Sequence, residues 1–342
     1  MDKKIAVLAA GANGSCIAAD LTQAGLDVAV IDQWPAHVET MRASGLTVRT
    51  RDGGPVTTPV TAYHLCDVCT LHDKFDLVLL TSKAYDSRWL TEFIKPYLAA
   101  DGLVVAVQNC MTAEEIGGIV GMERTVGCVV ELSSQMFEPA DILRNTPPPR
   151  TWFGVGAFDD AHADRVEEVA AVLRHAGRVD ITDDIIAAKW MKLIVNAMTM
   201  GLKAILGTTN EQVFKLAGAR ELFLRAGEEA LTAGQILGHR VVPVIGLTAE
   251  QVANTNSLLE TLLEKIVHDV GPTALNTVLQ DHMKGRYSEI DLINGLVAEA
   301  CRAEGRPTPV SDAIIAISKR VHAGELKPDV ANFELIREQL ES

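Results

Sequence analysis

A lysine and an asparagine one helical turn apart are the residues of this 342-residue chain with the most direct chemical use. Lys192 and Asn196 lie in the segment 187–198, whose periodicity predicts a helix, so both side chains share one face. Apolar neighbours such as Trp190 and Leu193 flank them. A lysine partly withdrawn from water gives up its proton more readily, as a donor to a carbonyl oxygen must. A solvated polar face is the alternative for such a pair.

A second polar cluster occupies the start of another predicted helix, where Glu289, Asp291 and Asn294 follow one another closely. Acidic side chains in a first helical turn are electrostatically favoured whatever the function of the protein. Spacing alone therefore leaves two interpretations open, a helix-start charge and a functional carboxylate.

The stretch 4–32 combines a buried strand, a glycine turn, a helix and a second strand. Its turn contains Gly11, Asn13 and Gly14, and glycines there let backbone N–H groups approach a pyrophosphate at the helix N-terminus. Asp32 ends the second strand, where a carboxylate can accept hydrogen bonds from an adenosine ribose. We predict a dinucleotide-binding βαβ unit, with an ordinary strand–helix turn as the alternative.

Strand and helix signals alternate as far as Asp183, and only helical periodicity is predicted after it. Two of the buried strands end in polar pairs, Ser82-Lys83 and Gln108-Asn109, at the edge where open parallel sheets bind ligands. The predicted fold class is α/β, with an N-terminal Rossmann domain built on a mostly parallel sheet and an all-helical C-terminal domain. We assign dinucleotide binding to residues 1–183, and substrate binding and catalysis to residues 184–342.

Local patterns give further boundaries. A hairpin is predicted where two alternating segments flank Asp52-Gly53-Gly54. The segment 133–150 is predicted to be less regular, because its three consecutive prolines cannot lie inside a sheet ladder. In the helical half, continuous helices are predicted over residues 211–237 and 248–268.

Four stretches together resemble the ketopantoate reductase family (2-dehydropantoate 2-reductases, within the 6-phosphogluconate-dehydrogenase-like group). The similarity spans nearly the whole chain, in the family's order. The stretches are Gly11-xx-Gly14, Gln108-Asn109, Trp190-x-Lys192-Leu193-xx-Asn196, and Leu279-Gln280-Asp281 followed by Glu289-Ile290-Asp291-x-Ile293-Asn294-Gly295.

The resemblance implies an active site in the cleft between a Rossmann and a helical domain, where hydride passes from reduced nicotinamide to the carbonyl carbon of a 2-oxo acid. By position, Lys192 is implied as the general acid and base. Glu289 is implied as the carboxylate that holds the lysine or a substrate hydroxyl. The residues implied to anchor substrate are Asn109, Asn196 and Thr277, and those implied near the cofactor are Lys83 and Asn109.

The chain departs from the family pattern at positions that govern specificity rather than at the reacting groups. Ala9 replaces the first glycine of the turn, and Cys110 stands where the family has glycine after Gln108-Asn109. Met200 stands where another asparagine is common, which removes an amide from the implied substrate pocket.

The cofactor preference is predicted from Asp32. Many family members have a basic residue near this position, which holds the 2′-phosphate of NADPH, whereas no arginine follows Asp32 until Arg42. A carboxylate would repel that phosphate, so we predict NAD(H) over NADP(H). A wider pocket lined by Gln33 and Trp34, or Arg42 or Arg51 folding back over a phosphate, would overturn this preference.

The amino-acid composition of the chain excludes some classes of binding partner. The net charge of −14 argues against nucleic acid and anionic membranes as partners. Neither a signal peptide nor a membrane-length apolar run is recognised, so we expect a soluble, cytoplasmic protein. A homodimer is considered, although the sequence leaves the oligomeric state open.

The six cysteines are scattered, and two of them, Cys66 and Cys69, form a CxxC motif. No second CxxC and no nearby histidine pair completes a zinc set. The sequence alone therefore favours reduced thiols and predicts no metal site.

The favoured function is an NAD(P)-dependent oxidoreductase acting on the C=O/C–OH pair of a small carboxylated molecule, for which ketopantoate is one candidate. A catabolic dehydrogenase working in the oxidising direction, an opine-type imine reductase and a dinucleotide sensor without turnover are the alternatives. The joint presence of Lys192, Asn196 and Glu289 argues against the sensor. The substrate and the physiological direction stay open.

Overall fold

The computed structural model describes residues 3–51, 53–158, 162–254 and 257–341 and divides into two compact units. One unit ends at Ile186 and the other begins at Ala187. The first alternates strands and helices, whereas the described part of the second contains helices and no strand. The predicted fold class is confirmed. The functions assigned to residues 1–183 and 184–342 stay predictions.

Twelve strands are formed by the described residues of the first unit, in an eight-stranded and a four-stranded sheet. They are β1 (Lys4–Leu8), β2 (Asp27–Asp32), β3 (Leu46–Thr50), β4 (Val56–Thr58), β5 (Thr61–His64), β6 (Phe75–Leu80), β7 (Leu98–Val107), β8 (Thr125–Glu131), β9 (Ser134–Glu138), β10 (Asp141–Arg144), β11 (Trp152–Gly156) and β12 (Arg178–Ile181). The large sheet has the order β12-β11-β8-β7-β6-β1-β2-β5. Its β8–β11 pair is antiparallel and its other neighbouring pairs are parallel.

Helices cover both faces of the large sheet, which explains why its central strands carry apolar residues on both faces along most of their length. Along β1, Ile5 and Val7 join one buried cluster, and Ala6 and Leu8 join the other. The helices before the unit boundary are α1 (Ala12–Gln23), α2 (Pro35–Ser44), α3 (Ser87–Ile94), α4 (Ala113–Val120) and α5 (Ala163–Leu173).

The strand order reverses at β1, which lies between β2 and β6. The chain passes from β1 through α1 to β2 on one side, and β6 is added on the other side. Such a reversal opens a crevice at the carboxyl ends of the two diverging strands. The residues that follow β1, β6 and β7 at this edge are 9–14, 81–83 and 108–110.

The four-stranded sheet has the order β4-β3-β10-β9. The predicted hairpin forms as the antiparallel pair β3–β4, although Asp52 of its turn lies outside the described residues. The segment 133–150 contains the β9–β10 hairpin, so the prediction of irregular structure there was wrong. Its prolines follow β10 instead of interrupting it, and the turn uses Ala140 at a positive φ of 56°, which no glycine marks in the sequence.

Nine helices are described from the unit boundary onward: α6 (Ile185–Leu206), α7 (Asn210–Val213), α8 (Ala219–Ile236), α9 (Ala249–Ala253), α10 (Leu258–Val270), α11 (Thr277–Met283), α12 (Ile290–Ala303), α13 (Pro309–His322) and α14 (Asn332–Glu341). The predicted helix 211–237 is broken before α8, where Gly218 takes φ 86°. The predicted helix 248–268 divides into α9 and α10, and its residues 255–256 lie outside the described part. No helix was predicted at α14.

Helix α6 is long and apolar enough to cross a membrane, which the sequence analysis had not recognised. Within its most apolar window, 89% is buried inside the protein. This burial is typical of a core helix, and α6 is also the helix that carries Lys192.

Candidate functional site

The turn after β1 is held in a single conformation by backbone and side-chain hydrogen bonds. Ala9 has a φ of 60°, in the left-handed region that favours glycine, and it stands where the pattern has its first glycine. Its N–H donates to the Ile31 carbonyl at 2.8 Å, and its carbonyl accepts from the Gly11 N–H at 2.8 Å. The Thr81 hydroxyl donates to the same carbonyl at 3.0 Å. Ala9 therefore adopts the left-handed conformation that glycine would adopt more easily, and hydrogen bonds hold it there.

The N-terminus of α1 has the features that a pyrophosphate requires. Gly11 is the N-cap of α1 and, as a glycine, it makes no side-chain capping hydrogen bond. The first-turn N–H groups of a helix lack intrahelical acceptors and favour an anion. A Cβ on Gly14 would collide with the Thr81 hydroxyl, so glycine allows α1 to approach the end of β6 closely. Asn13 accepts a hydrogen bond from the Ser134 hydroxyl at 2.6 Å.

The buried side chain of His37 stabilises this turn through hydrogen bonds. The Nδ1 atom of His37 accepts from the Ala140 N–H at 2.9 Å, so the ring proton lies on Nε2, 3.0 Å from the Ala10 carbonyl oxygen. Ser15 donates to the same carbonyl at 2.7 Å. Burial lowers the pKa of His37, while the charge of Asp32 opposes that shift. The neutral ring therefore joins the turn to the β9–β10 hairpin.

Asp32 lies at the end of β2 and is 7% exposed. One of its carboxylate oxygens accepts from the Trp34 N–H at 2.7 Å, which orients the carboxylate at the edge of the sheet. This is the position at which Rossmann folds bind the adenosine ribose.

The two arginines that could have folded over a 2′-phosphate have other partners. Arg42 contacts the Asp67 carboxylate at 2.5 Å and the Glu39 carboxylate at 3.1 Å, and its Nε donates to the Ala62 carbonyl. Arg51 donates to the Asn145 side-chain oxygen at 3.2 Å. Both guanidinium groups are therefore engaged by neighbouring side chains.

Gln108 links the loops that follow β6 and β7. Its amide nitrogen donates to the hydroxyls of Ser82 at 2.8 Å and Ser87 at 2.9 Å, and its oxygen accepts from Thr112 at 3.0 Å. The side chain is buried. These bonds position the half-buried Lys83 and Asn109, which follow the same two strands.

Cys110 also has left-handed backbone geometry, with a φ of 69°. The family's glycine at this place is explained by that φ, which L-residues adopt at a cost of roughly 1–2 kcal/mol. Ala9 and Cys110 are therefore two non-glycine residues with left-handed backbone at positions where the family pattern has glycine.

In the second unit, α6 presents Lys192 and Asn196 from a buried position. Their exposed fractions are 6% and 1%, and Lys189 is buried as well. Trp190 anchors the helix, because its Nε1 donates to the Ala230 carbonyl of α8 at 3.2 Å. A Cβ on Gly234 would collide with that indole, so glycine allows the two helices to approach closely.

Thr277 lies beside α6 as the first residue of α11. Its hydroxyl is 4.0 Å from the Met200 sulfur, one helical turn beyond Asn196. The preceding Asn276 caps α11 by accepting from the Leu279 N–H, and it donates to the Met200 carbonyl at 3.1 Å. The structure thus brings Thr277 to the methionine that replaces the family's amide.

Glu289 immediately precedes α12 and is 3% exposed. Helix α12 packs against α6, since Asn294 donates to the Ala197 carbonyl at 3.1 Å. The substrate roles of Asn109, Asn196 and Thr277 and the joint action of Lys192 with Glu289 stay predictions.

Four side chains that the sequence analysis did not single out fix the predicted residues in place. These are Thr81, Ser134, His37 and Asn276. Thr81 could have been recognised from the sequence because it directly follows a buried strand. Asn276 could have been recognised because asparagine is a favoured N-cap residue. Ser134 and His37 had none, because their partners are distant in sequence: Asn13 for the former and Ala140 for the latter.

Comparison with known proteins identifies both halves of the chain. The family model described as "Ketopantoate reductase PanE/ApbA" matches residues 5–157, and its C-terminal counterpart matches residues 184–322. The 2-dehydropantoate 2-reductase of Mesorhizobium japonicum is 28% identical over 341 residues, covering 93% of this chain and 97% of that protein. The enzyme of the same name from Pyrococcus horikoshii is 26% identical, covering 92% and 96%.

Solved structures share the fold. A PanE/ApbA family ketopantoate reductase from Ralstonia eutropha superposes with a TM-score of 0.77 at 23% identity, covering 94% of this chain and 99% of that chain. A D-mandelate dehydrogenase in ternary complex with NADH and anilino(oxo)acetate superposes with a TM-score of 0.82 at 21% identity and the same coverage.

Proposed function

This chain belongs to the ketopantoate reductase PanE/ApbA family and is an NAD(P)-dependent oxidoreductase, and we propose that it interconverts a 2-oxo acid and the matching 2-hydroxy acid with Lys192 as general acid and base. The observation that carries the proposal is the face of α6, where a buried lysine and a buried asparagine stand one turn apart. A buried ammonium favours a negatively charged or electron-rich group beside it.

Lys192 has the role of a proton carrier. When bound, the nicotinamide supplies the hydride that adds to the carbonyl carbon, or accepts it in the opposite direction. As negative charge develops on the carbonyl oxygen, the Lys192 ammonium donates a proton to it, and the same nitrogen takes that proton back in the oxidising direction. Glu289 is proposed to orient the ammonium or to accept a hydrogen bond from the substrate.

The polar groups around this face are proposed to bind the carboxylate end. Asn196 offers an amide, and Thr277 offers a hydroxyl. Asn109 is assigned a further anchoring role from its place in the family pattern. All three are uncharged, so Lys192 supplies the positive charge that a carboxylated substrate needs.

The substituent on the 2-oxo acid is proposed to be apolar. Met200 presents a thioether at the position where an amide is common in the family, and that thioether already contacts Thr277. A hydroxylated side chain such as that of ketopantoate would lose a hydrogen-bond partner there, whereas an aryl or branched alkyl group would gain a polarisable contact. The named ligand of the D-mandelate dehydrogenase, anilino(oxo)acetate, is an aryl compound of this kind.

The cofactor is proposed to be NAD(H) in preference to NADP(H). Asp32 ends β2, where a carboxylate would meet an adenosine ribose, and Arg42 and Arg51 are held by other partners. About two added negative charges from a 2′-phosphate would face the Asp32 carboxylate while Arg42 and Arg51 stay with their own partners, at a repulsion on the order of a few kcal/mol before solvent relaxation. The residues proposed to contact the dinucleotide are Gly11, Asn13, Gly14, Asp32, Lys83 and Asn109.

A substrate panel tests the function. Oxidation of NADH would be followed by absorbance with ketopantoate, 3-methyl-2-oxobutanoate and phenylglyoxylate, and each 2-hydroxy acid would be tested with NAD. We expect kcat/KM for an apolar acid to exceed that for ketopantoate by about tenfold or more. NADH binding seen by fluorescence without turnover on any acid would instead support the sensor.

Substitutions at Met200 test the proposed apolar substituent separately. Met200→Asn restores an amide and should move the kcat/KM ratio toward ketopantoate by about tenfold or more. Met200→Leu keeps an apolar side chain of similar volume and should retain the original ratio. Equal shifts in both variants would show that position 200 acts only through packing.

Asp32→Ser tests the cofactor preference. The wild type should prefer NADH over NADPH by roughly one to two orders of magnitude in kcat/KM, and the variant should lose most of that preference. Asp27→Ser, at the exposed start of the same strand, is the matched control. It should leave kcat/KM unchanged with both NADH and NADPH. An NADPH preference in the wild type would contradict the assignment.

A further inference from the structure

The two cysteines of the CxxC motif lie on a short 3₁₀ helix at the edge of the large sheet. This helix spans Leu65–Thr70 and follows β5 directly. Cys66 and Cys69 are both exposed and reduced, whereas the other four cysteines are buried. The exposed thiols are therefore the two that a reagent in solution reaches first.

The geometry of a 3₁₀ helix places the two thiols on the same side of the helix. A 3₁₀ helix has three residues per turn and rises about 2 Å per residue, so residues three apart eclipse each other with Cα atoms about 6 Å apart. Disulfides most often join Cα atoms at about that separation. The Cys69 sulfur also lies 3.0 Å from the Cys66 carbonyl oxygen, so its side chain turns back toward Cys66.

Metal binding is the other chemistry open to two neighbouring thiols, and it needs further ligands. Within the described residues, no group of three or more His, Cys, Asp or Glu side chains is arranged to hold a metal ion. Nearby candidates have other partners, since His64 contacts Glu39 at 2.6 Å. The positive observations on the pair, its exposure and its spacing, are those of a dithiol.

We infer that Cys66 and Cys69 form a reversible dithiol–disulfide site whose oxidant is a low-molecular-weight disulfide. The thiolate of one cysteine attacks a sulfur of the small disulfide and releases one small thiolate. The second cysteine then attacks the protein sulfur of the mixed disulfide, which forms the Cys66–Cys69 bond and releases the second small thiolate. The protein loses two electrons, and its two protons end on the two released thiols.

The site is connected to the proposed ribose position. Asp67, between the two cysteines, holds Arg42 of α2 and accepts from the His64 N–H at 3.0 Å. His64 is the register partner of Asp32 in the β2–β5 pair. Closing the disulfide constrains the helix that carries Asp67, so oxidation should change dinucleotide affinity, and bound dinucleotide should change the ease of oxidation by the same factor. This coupling rests on the proposed function, whereas the disulfide itself does not.

The disulfide is tested without any dinucleotide. The reduced full-length chain would be equilibrated with mixtures of oxidised and reduced glutathione and analysed by intact mass and by mapping of its disulfide-linked peptides. We expect a mass loss of two hydrogen atoms, a single Cys66–Cys69 link and full reversal with dithiothreitol. A persistent mixed disulfide with glutathione, or a link to another cysteine, would overturn the proposal.

A variant with the second thiol moved by one residue tests the geometry. Cys69→Ser/Thr70→Cys keeps two exposed thiols but rotates one about 120° around the helix. It should accumulate glutathione adducts instead of an internal link. An internal link that forms as readily as in the wild type would contradict the argument from helix geometry.

The coupling is tested by titrating NADH into reduced and oxidised protein and following its fluorescence. We expect the Kd to differ by about threefold or more between the two forms. Cys66→Ser/Cys69→Ser should show the same Kd before and after the glutathione treatment. Equal Kd values for the two wild-type forms would overturn the coupling, and NADH that binds neither form would count against the proposed function.

Discussion

At the scale of single residues, Lys192 carries the proposed chemistry. Lys192→Ala should lower kcat by a factor on the order of 10² to 10⁴, because the alkoxide would lose its proton donor. The Kd for NADH should stay within about twofold, since no cofactor contact is assigned to this side chain. Steady-state kinetics and a fluorescence titration measure the two quantities.

Lys189→Ala is the control for that prediction. Lys189 is also buried on α6, one turn away, so a loss of helix packing should appear in both variants. Near-normal turnover in Lys192→Ala, with a large loss in Lys189→Ala, would transfer the role of proton donor to Lys189.

The strain at Ala9 gives a second prediction at this scale. Left-handed backbone costs an L-residue roughly 1–2 kcal/mol, which glycine avoids. Ala9→Gly should therefore destabilise the protein by about 1–2 kcal/mol less than Ala10→Gly, where a buried methyl is lost without relief of positive φ. Urea unfolding of both variants gives the difference, and equal free energies of unfolding would show that the Ala9 backbone is unstrained.

At the scale of elements, a buried ion pair joins β10 to α1. Arg144 is 2% exposed, and its NH1 contacts the Asp20 carboxylate at 2.6 Å. The other guanidinium nitrogens donate to the Thr146 carbonyl at 2.8 Å and to the Thr151 hydroxyl at 2.9 Å. Burial raises the pKa of Asp20, and the charge and hydrogen bond of Arg144 oppose that shift.

Removal of the Arg144 side chain should strongly destabilise the folded protein. Arg144→Met leaves a largely buried carboxylate without its cation, which typically costs about 3–5 kcal/mol. The double variant Arg144→Met/Asp20→Leu should recover much of that loss. Arg150→Met, on the exposed stretch after β10, is the control and should cost less than about 0.5 kcal/mol. A loss in Arg144→Met no larger than in the control would show that the pair does not stabilise the protein.

The sequence predicted elements wherever the signal was local. The apolar run of β1, the glycine stop of α1 and the period of α6 each indicate their own structure. The β9–β10 hairpin was missed because its turn uses Ala140 at positive φ and because Arg144 is bound by residues from three other segments. No local pattern contains such information.

The same limit applies to the candidate site. Gly14 and Asp32 could be predicted because strand, turn and helix fix their spacing within one βαβ unit. Thr81, which packs against Gly14, comes from a strand that joins β1 only through the sheet. Propensity and periodicity describe neighbours along the chain, so contacts made through the sheet were outside their reach.

At the scale of the whole molecule, both units contain histidines that are withdrawn from water. In the first unit this is His37, which accepts a backbone hydrogen bond through Nδ1. In the second unit it is the pair His282 and His322, whose rings pack edge to face with their centroids 4.9 Å apart. Burial lowers the pKa of all three side chains, so acidification below their ordinary pKa should destabilise each unit.

The largest of these effects is expected at His282. Burial, and then the neighbouring His322, lower its pKa from an ordinary 6.5 to about 4. Between those values the unfolded chain binds a proton that the folded unit excludes, so the stabilisation is complete above about pH 6.5 and is lost as the pH falls toward 4. The loss is on the order of 3 kcal/mol. It would be measured as the free energy of unfolding in urea between pH 7.5 and pH 4, followed by far-ultraviolet circular dichroism. His282→Phe should flatten that pH dependence, whereas His268→Gln, at an exposed position, should leave it unchanged. If the wild type and His282→Phe lose stability in parallel on acidification, another group must be responsible.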